Sequence, residues 1–187
     1  TTIDYQIKGS QINGLTAGEE SGRSVSVNSD GTVVAIGAYS NSEAFGLSGT
    51  TRIYEWNGTA WVLKGNQING LTSTEHFGIS VSINSDGTVV AIGAKFNDEG
   101  VGANGGTTRI YEWNGTAWVL KGSQINGLTH AEQSGHSVSI NNSGTVVAIG
   151  AYAYNSLRGT TRIYEWSGTA WVLKGSQING LTGGEQF

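Results

Sequence analysis

The chain has 187 residues, with 30 glycines, no proline, no cysteine and a formal net charge of −4. Without cysteine there are no disulfides and no thiolate metal centres. No basic run marks a nucleic-acid footprint, and no apolar run reaches the roughly 18 residues of a membrane-spanning helix.

Internal repetition organises the chain. Gly9, Gly65, Gly122 and Gly175 open four copies of a linker, GSQINGLT in the first, at a period of about 55 residues. A short variable piece follows and ends in a glutamate in every copy: Glu19, Glu75, Glu132 and Glu185. Residues 22–28 (GRSVSVN) then alternate valine with serine, the period of a half-buried strand. Asn28-Ser-Asp-Gly31 reads as a turn. Residues 32–38 (TVVAIGA) are apolar but small or β-branched, as in a strand covered on both faces. Gly37, Gly93 and Gly150 within these strands imply close approach of a neighbouring backbone. The copies diverge at 39–48, 95–105 and 152–158, which read as exposed loops and the place for partner specificity.

The segment 49–65, GTTRIYEWNGTAWVLKG, returns unchanged at 106–122 and, with Ser167 for Asn, at 159–175. Asn57-Gly58 is a strong hairpin signal between strands 50–56 and 60–64. A two-residue turn would set Tyr54 opposite Trp61 and Trp56 opposite Thr59, with Ile53 and Val62 on the other face. The sequons at Asn57, Asn114 and Asn141 read as turns rather than glycosylation sites.

Each repeat is thus a four-stranded antiparallel meander with two apolar faces. Such sheets must stack, so the expected fold is all-β: tandem β-propeller blades, in a partial propeller or a repeat array. Trp56, Trp61 and their copies are expected between blades, the alternative being exposed platforms for sugars. The repeats divide as 9–65, 66–122 and 123–175, with 176–187 opening a further one. Residues 1–8 align with a last strand, Tyr5 replacing Trp61, and Phe187 aligns with Phe77. The expectation at the ends is an orphan strand paired with sheet from outside these residues, in a larger ring or a filament.

Phe77-Gly78 and the Gly-Ala pairs at 37, 93 and 150 resemble the FG-GAP repeat of integrin-α-type propellers. Residues 24–38 with 49–61 are similar to the SVSxSxDGxxVAIGA…RxYxWxGxxW repeats of large secreted or surface proteins. The resemblance covers essentially the whole chain. It implies a propeller, an extracellular or surface setting and no enzymatic activity. Many FG-GAP blades carry an acidic calcium loop between their first two strands. Here that loop is Asn28–Gly31, or Asn141–Gly144 with no acid, too few oxygens for calcium. The family's calcium sites are therefore not carried over.

Four glutamates, Glu19, Glu75, Glu132 and Glu185, stand at equivalent points. They read either as backbone caps or partners of a repeated base, or as ligands for cations or carbohydrate hydroxyls. Arg52, Arg109 and Arg162, with Glu55, Glu112 and Glu165, form a second repeated set, expected to be solvated or packing residues. His76, His130 and His136 have no metal-site spacing, and Asn97-Asp-Glu99 reads as a solvated loop. No catalytic motif, cofactor site or metal site is expected. Near-identical units suit a non-enzymatic scaffold, adhesin or fibre component, with copies of itself or further repeats as partners, and glycans or surface proteins as further ones. The alternative is a multivalent carbohydrate-binding propeller.

Overall fold

A computed structural model describes residues 6–182, so Tyr5, Glu185 and Phe187 lie outside the described residues. Among the described residues, three sheets of five strands each follow one another. The first holds β1 (Ser24–Val27), β2 (Val33–Ala38), β3 (Thr50–Trp56), β4 (Trp61–Leu63) and β5 (Ile68–Asn69). The second holds β6 (Phe77–Ile83), β7 (Val89–Ala94), β8 (Thr107–Trp113), β9 (Trp118–Leu120) and β10 (Ile125–Asn126). The third holds β11 (Ser137–Ile140), β12 (Val146–Ala151), β13 (Thr160–Trp166), β14 (Trp171–Leu173) and β15 (Ile178–Asn179). All pairings within the sheets are antiparallel. The fold is all-β, built of propeller blades.

The linker belongs to the sheet, contrary to its reading as a connection. After β4 the Lys64 amide still bonds Ile53 O, Gly65 turns at φ +74°, and Ile68–Asn69 rejoin β3 beside Thr51 and Thr50. The outer strand is therefore broken in two. The glycine bulge accepts the next blade: a Cβ on Gly65 would collide with the Trp113 ring.

The hairpin also differs from expectation. Trp56 faces Trp61, Glu55 faces Val62 and Tyr54 faces Leu63. Asn57 keeps an ordinary φ and uses its side chain instead, Oδ1 accepting from the Thr59 and Ala60 amides across a four-residue loop. That register brings the two indoles to 5.5 Å. Ser167 closes the third loop with its hydroxyl, which accepts from the Ala170 amide. The loops at 42–47 and 98–104 are largely exposed, as expected, but Asn41, Ser48 and Asn97 anchor them and are buried. In the third loop, Tyr154–Leu157 forms one left-handed turn with Asn155 and Ser156 at φ 47° and 57°.

The core lies between the blades. Val33, Ala35 and Ile53 of blade 1 meet Phe77, Val81, Ile83, Val90 and Ile92 of blade 2. Val89, Ala91 and Ile110 of blade 2 meet Ile140, Val147, Ile149 and Tyr164 of blade 3. Alternation gives each blade two distinct faces: on the inner strand, valines point back to the preceding blade and serines forward to the next. The Ile83 amide donates to Ser26 Oγ at 3.0 Å, and the Ile140 amide donates to Ser82 Oγ at 3.0 Å. Ser24 Oγ donates to Gly78 O, and Ser80 Oγ to Gly135 O. Gly37 and Gly93 make the approach possible, because a Cβ at either would fall on those same carbonyl oxygens. The tryptophans do pack between blades: Trp118 Nε1 donates to Lys64 O and Trp171 Nε1 to Lys121 O, each at 2.8 Å.

Candidate functional site

Three repeated features were candidates for chemistry: the glutamates, the strand-3 arginines and the spaces between blades. Glu19, Glu75 and Glu132 each sit in the crossing from one blade to the next, just ahead of the inner strand. Each is buried. Each carboxylate takes both terminal nitrogens of an arginine from strand three of the same blade. The pairs are Glu19 with Arg52 at 2.8 and 3.0 Å, Glu75 with Arg109 at 3.0 Å twice, and Glu132 with Arg162 at 2.6 and 3.0 Å. The arginines are thus buried partners of a carboxylate rather than solvated residues, and each pair lies within one blade. Their Nε donates to Gln67, Gln124 or Gln177, just ahead of the rejoined outer strand.

The rest of the carboxylate is also occupied. Glu19 accepts from the Leu15 amide, Thr16 Oγ1 and Asn41 Nδ2. Glu75 repeats this with Leu71, Thr72 and Asn97. Burial alone would raise the Glu19 carboxyl, but Arg52, then Asn41, Leu15 and Thr16, outweigh it and hold it at about 2. A carboxylate so fully engaged has no lone pairs left for a cation or a sugar. The structure brings together the repeated Glu and the repeated Arg and gives them a structural task. The blades differ only at the margin. Glu99 adds a second carboxylate to Arg109 at 3.2 Å, whereas Arg162 lies 5.5 Å from the centre of the Tyr154 ring.

Glu55, Glu112 and Glu165 pair instead with Lys64, Lys121 and Lys174 across the same hairpin. The Asn97–Glu99 loop is consumed internally: Asn97 on Glu75, Glu99 on Arg109 and Gln124, and Asp98 accepting from the Asn104 amide. His76 lies between the rings of Tyr39 and Phe96, at 5.0 and 4.9 Å, and His136 packs at a tilt against Tyr152 at 4.4 Å.

The spaces between blades are open. A cleft of 540 Å³ lies between blades 2 and 3, walled by Gln124, Asn126 and Glu99 on one side and Tyr164 and Trp171 on the other. Its counterpart between blades 1 and 2 measures 430 Å³, with Gln67, Asn69, Phe45 and Trp118 in its wall. A third, of 280 Å³, lies between residues 10–15 and Trp61. Each offers a half-buried indole, with its Nε1 already committed, beside side-chain amides. Sites between blades belong to the carbohydrate-binding alternative expected from the sequence; the amides that wall them were not legible, because they lie on the linker, whose return to the sheet has no local signature.

No protein-family model and no curated protein matches the chain. Among solved structures, the crystal structure of Saccharomyces cerevisiae Sqt1 is similar, with a TM-score of 0.53 and 14% identity over 87% of this chain. Sqt1 is a β-propeller, and the match covers 37% of its chain. At that identity the likeness speaks for the fold alone, a partial propeller of stacked blades.

Proposed function

We propose that the chain is a non-enzymatic repeat module, a scaffold, adhesin or fibre component that assembles through its blade faces. The observation that carries this reading is the leading face of blade 1. Val25 and Val27 are 63% and 60% exposed, whereas the equivalent Val81 and Ile83 of blade 2 are 8% and 6% exposed. Blade 3 presents the complementary face, with Ser137 and Ser139 exposed and Val146 and Ala148 half-buried. The occupant these faces fit is a blade of the same kind, supplied by a copy of this chain or by further repeats. Contacts between unlike faces are head-to-tail, and they close into a ring or extend into a filament. The resemblance to FG-GAP-like surface repeats supports an extracellular or cell-surface setting.

A cysteine pair tests this directly, since the chain has no cysteine of its own. Inside the chain, Ile83 meets Ser26 and Ile140 meets Ser82. Between copies, Val27 should therefore meet Ser139. The double variant Val27→Cys/Ser139→Cys should form a ladder of disulfide-linked chains under oxidation, while each single variant stops at dimer or monomer. Only monomer from the double variant would overturn the reading.

The repeated clefts favour a second reading, a multivalent carbohydrate-binding propeller. Neutral oligosaccharides would then bind with several equivalent sites per chain, and replacing Trp118 would remove one of them. Glycan-array signals that survive replacement of Trp118 and Trp171 together would count against it.

A further inference from the structure

At one end of the blades the repeats stop being alike. Inner strands β1, β6 and β11 lie side by side. At their starts stand Arg23, Ile79 and His136; at the ends of the strands beside them stand Tyr39, Lys95 and Tyr152. Glu20, His76 and Gln133 occupy the preceding turn, each in the left-handed region at φ 54°, 56° and 55°, although none is glycine. Three adjacent blades thus bring different residues to one place, in a chain whose strands are otherwise near copies.

The side chains there form a connected group. Lys95 Nζ lies 4.7 Å from the centre of the Phe96 ring, Phe96 packs on His76, and His76 packs on Tyr39. Tyr39 donates its hydroxyl to Glu20 at 3.0 Å. The strand-3 arginines and the lysines at 64, 121 and 174 all have a carboxylate partner; Arg23 and Lys95 have none among the described residues. They are not far apart either. Lys95 is held below its ordinary value by burial and then by Arg23. His136 is lowered by burial, then by Lys95 and Arg23, which leaves a neutral imidazole at pH 7 able to donate one hydrogen bond. Glu20 is the carboxylate of this group, and it is engaged by the Tyr39 hydroxyl; the two cations set against it leave positive charge in excess, which suits an anion.

We propose that this end of the inner strands is a single binding site for a short acidic saccharide. Arg23 and Lys95 hold its carboxylate, and the Tyr39, Phe96 and Tyr152 rings flank the sugar. With Glu20 set against them, the two positive charges leave an excess that matches a single carboxylate of the ligand. A dense polyanion would instead meet the chain's overall charge of −4. Half-buried rings beside the cations suit a ligand that carries C–H faces as well as charge. The site is separate from the repeated clefts and does not rest on how copies assemble.

Calorimetric titration of the 187-residue chain with digalacturonic acid tests this. One site per chain is expected, weakened about tenfold or more in Lys95→Gln and in Arg23→Gln, which corresponds to losing a charge-assisted hydrogen bond. Lys95→Arg should retain binding and Lys174→Gln should leave it unchanged. Neutral galactobiose should not bind at this site, and acetate and uridine monophosphate should bind more weakly than the diuronate. No heat with digalacturonic acid, equal affinity in Lys95→Gln and Arg23→Gln, or acetate or the nucleotide binding as tightly would each overturn the proposal. The melting temperatures of the variants, expected within a few degrees of the parent, keep a folding defect from being read as lost binding.

Discussion

Glu75 and Arg109 have side chains with no exposed surface at all, yet every nitrogen and oxygen at their charged ends has a partner. A buried pair of this kind adds little over a well-packed apolar pair, but halving it leaves a charge without solvent. Glu75→Ala should therefore cost about 3–5 kcal/mol in urea unfolding, and the double variant Glu75→Leu/Arg109→Met distinctly less. Equal losses would mean that the network is not what the chain rests on. Acid should find the same weakness. Glu19 is held at about 2 in the folded chain against an ordinary 4.5, so its contribution is complete above pH 4.5 and disappears as pH falls toward 2. His76 and His136 are also depressed, by burial first, so the folded chain resists their protonation and stability starts to decline below about 6.5. The melting temperature should fall gently from pH 6.5 and steeply below 4.5; a flat profile down to pH 3 would contradict this. Both members of the ion pair were visible in the sequence as repeated residues. The sequence offered a repeated base as partner of the glutamate but not which one, because Glu75 lies 34 residues from Arg109 and no spacing rule joins them.

At the scale of the element, the strands were legible because their period is two and their turns are rich in Asn, Asp and Gly. Strands expected at 22–28, 32–38, 50–56 and 60–64 are found at 24–27, 33–38, 50–56 and 61–63. The hairpin register was not legible, since Asn-Gly serves a two-residue turn by its backbone and a longer one by its side chain, and the letters are the same. The glycine ending each second strand gives a sharper test. A Cβ on Gly93 would strike the Gly135 carbonyl of the next blade, whereas one on Gly150 would meet only the Ser137 hydroxyl. Backbone cannot yield as a side chain can. Gly93→Ala should destabilise by several kcal/mol, on the order of a severe core overpacking, and Gly150→Ala by about 1 kcal/mol in dilute solution. Similar losses at the two positions in dilute solution would show that blade contact is not what those glycines permit.

For the whole molecule, the two-faced strand is the organising rule: a valine face looks back, a serine face looks forward, and the hydrophobic core is the space between. Propeller blades were legible from the repeat length and the two apolar faces. Which residues face which neighbour was not, since alternation fixes two sides but not their direction. If the exposed faces of blades 1 and 3 are docking faces, the chain should associate with itself in proportion to concentration. Multi-angle light scattering on the 187-residue chain, across about 1 to 100 μM, the range in which interfaces of ordinary size assemble, measures this most directly. The expected result is a mass that rises above the 19.5 kDa of one chain and returns to it in Val25→Asp/Val27→Asp. A stable 19.5 kDa species at every concentration, with the backbone amides of Val25 and Val27 protected from hydrogen exchange, would contradict it.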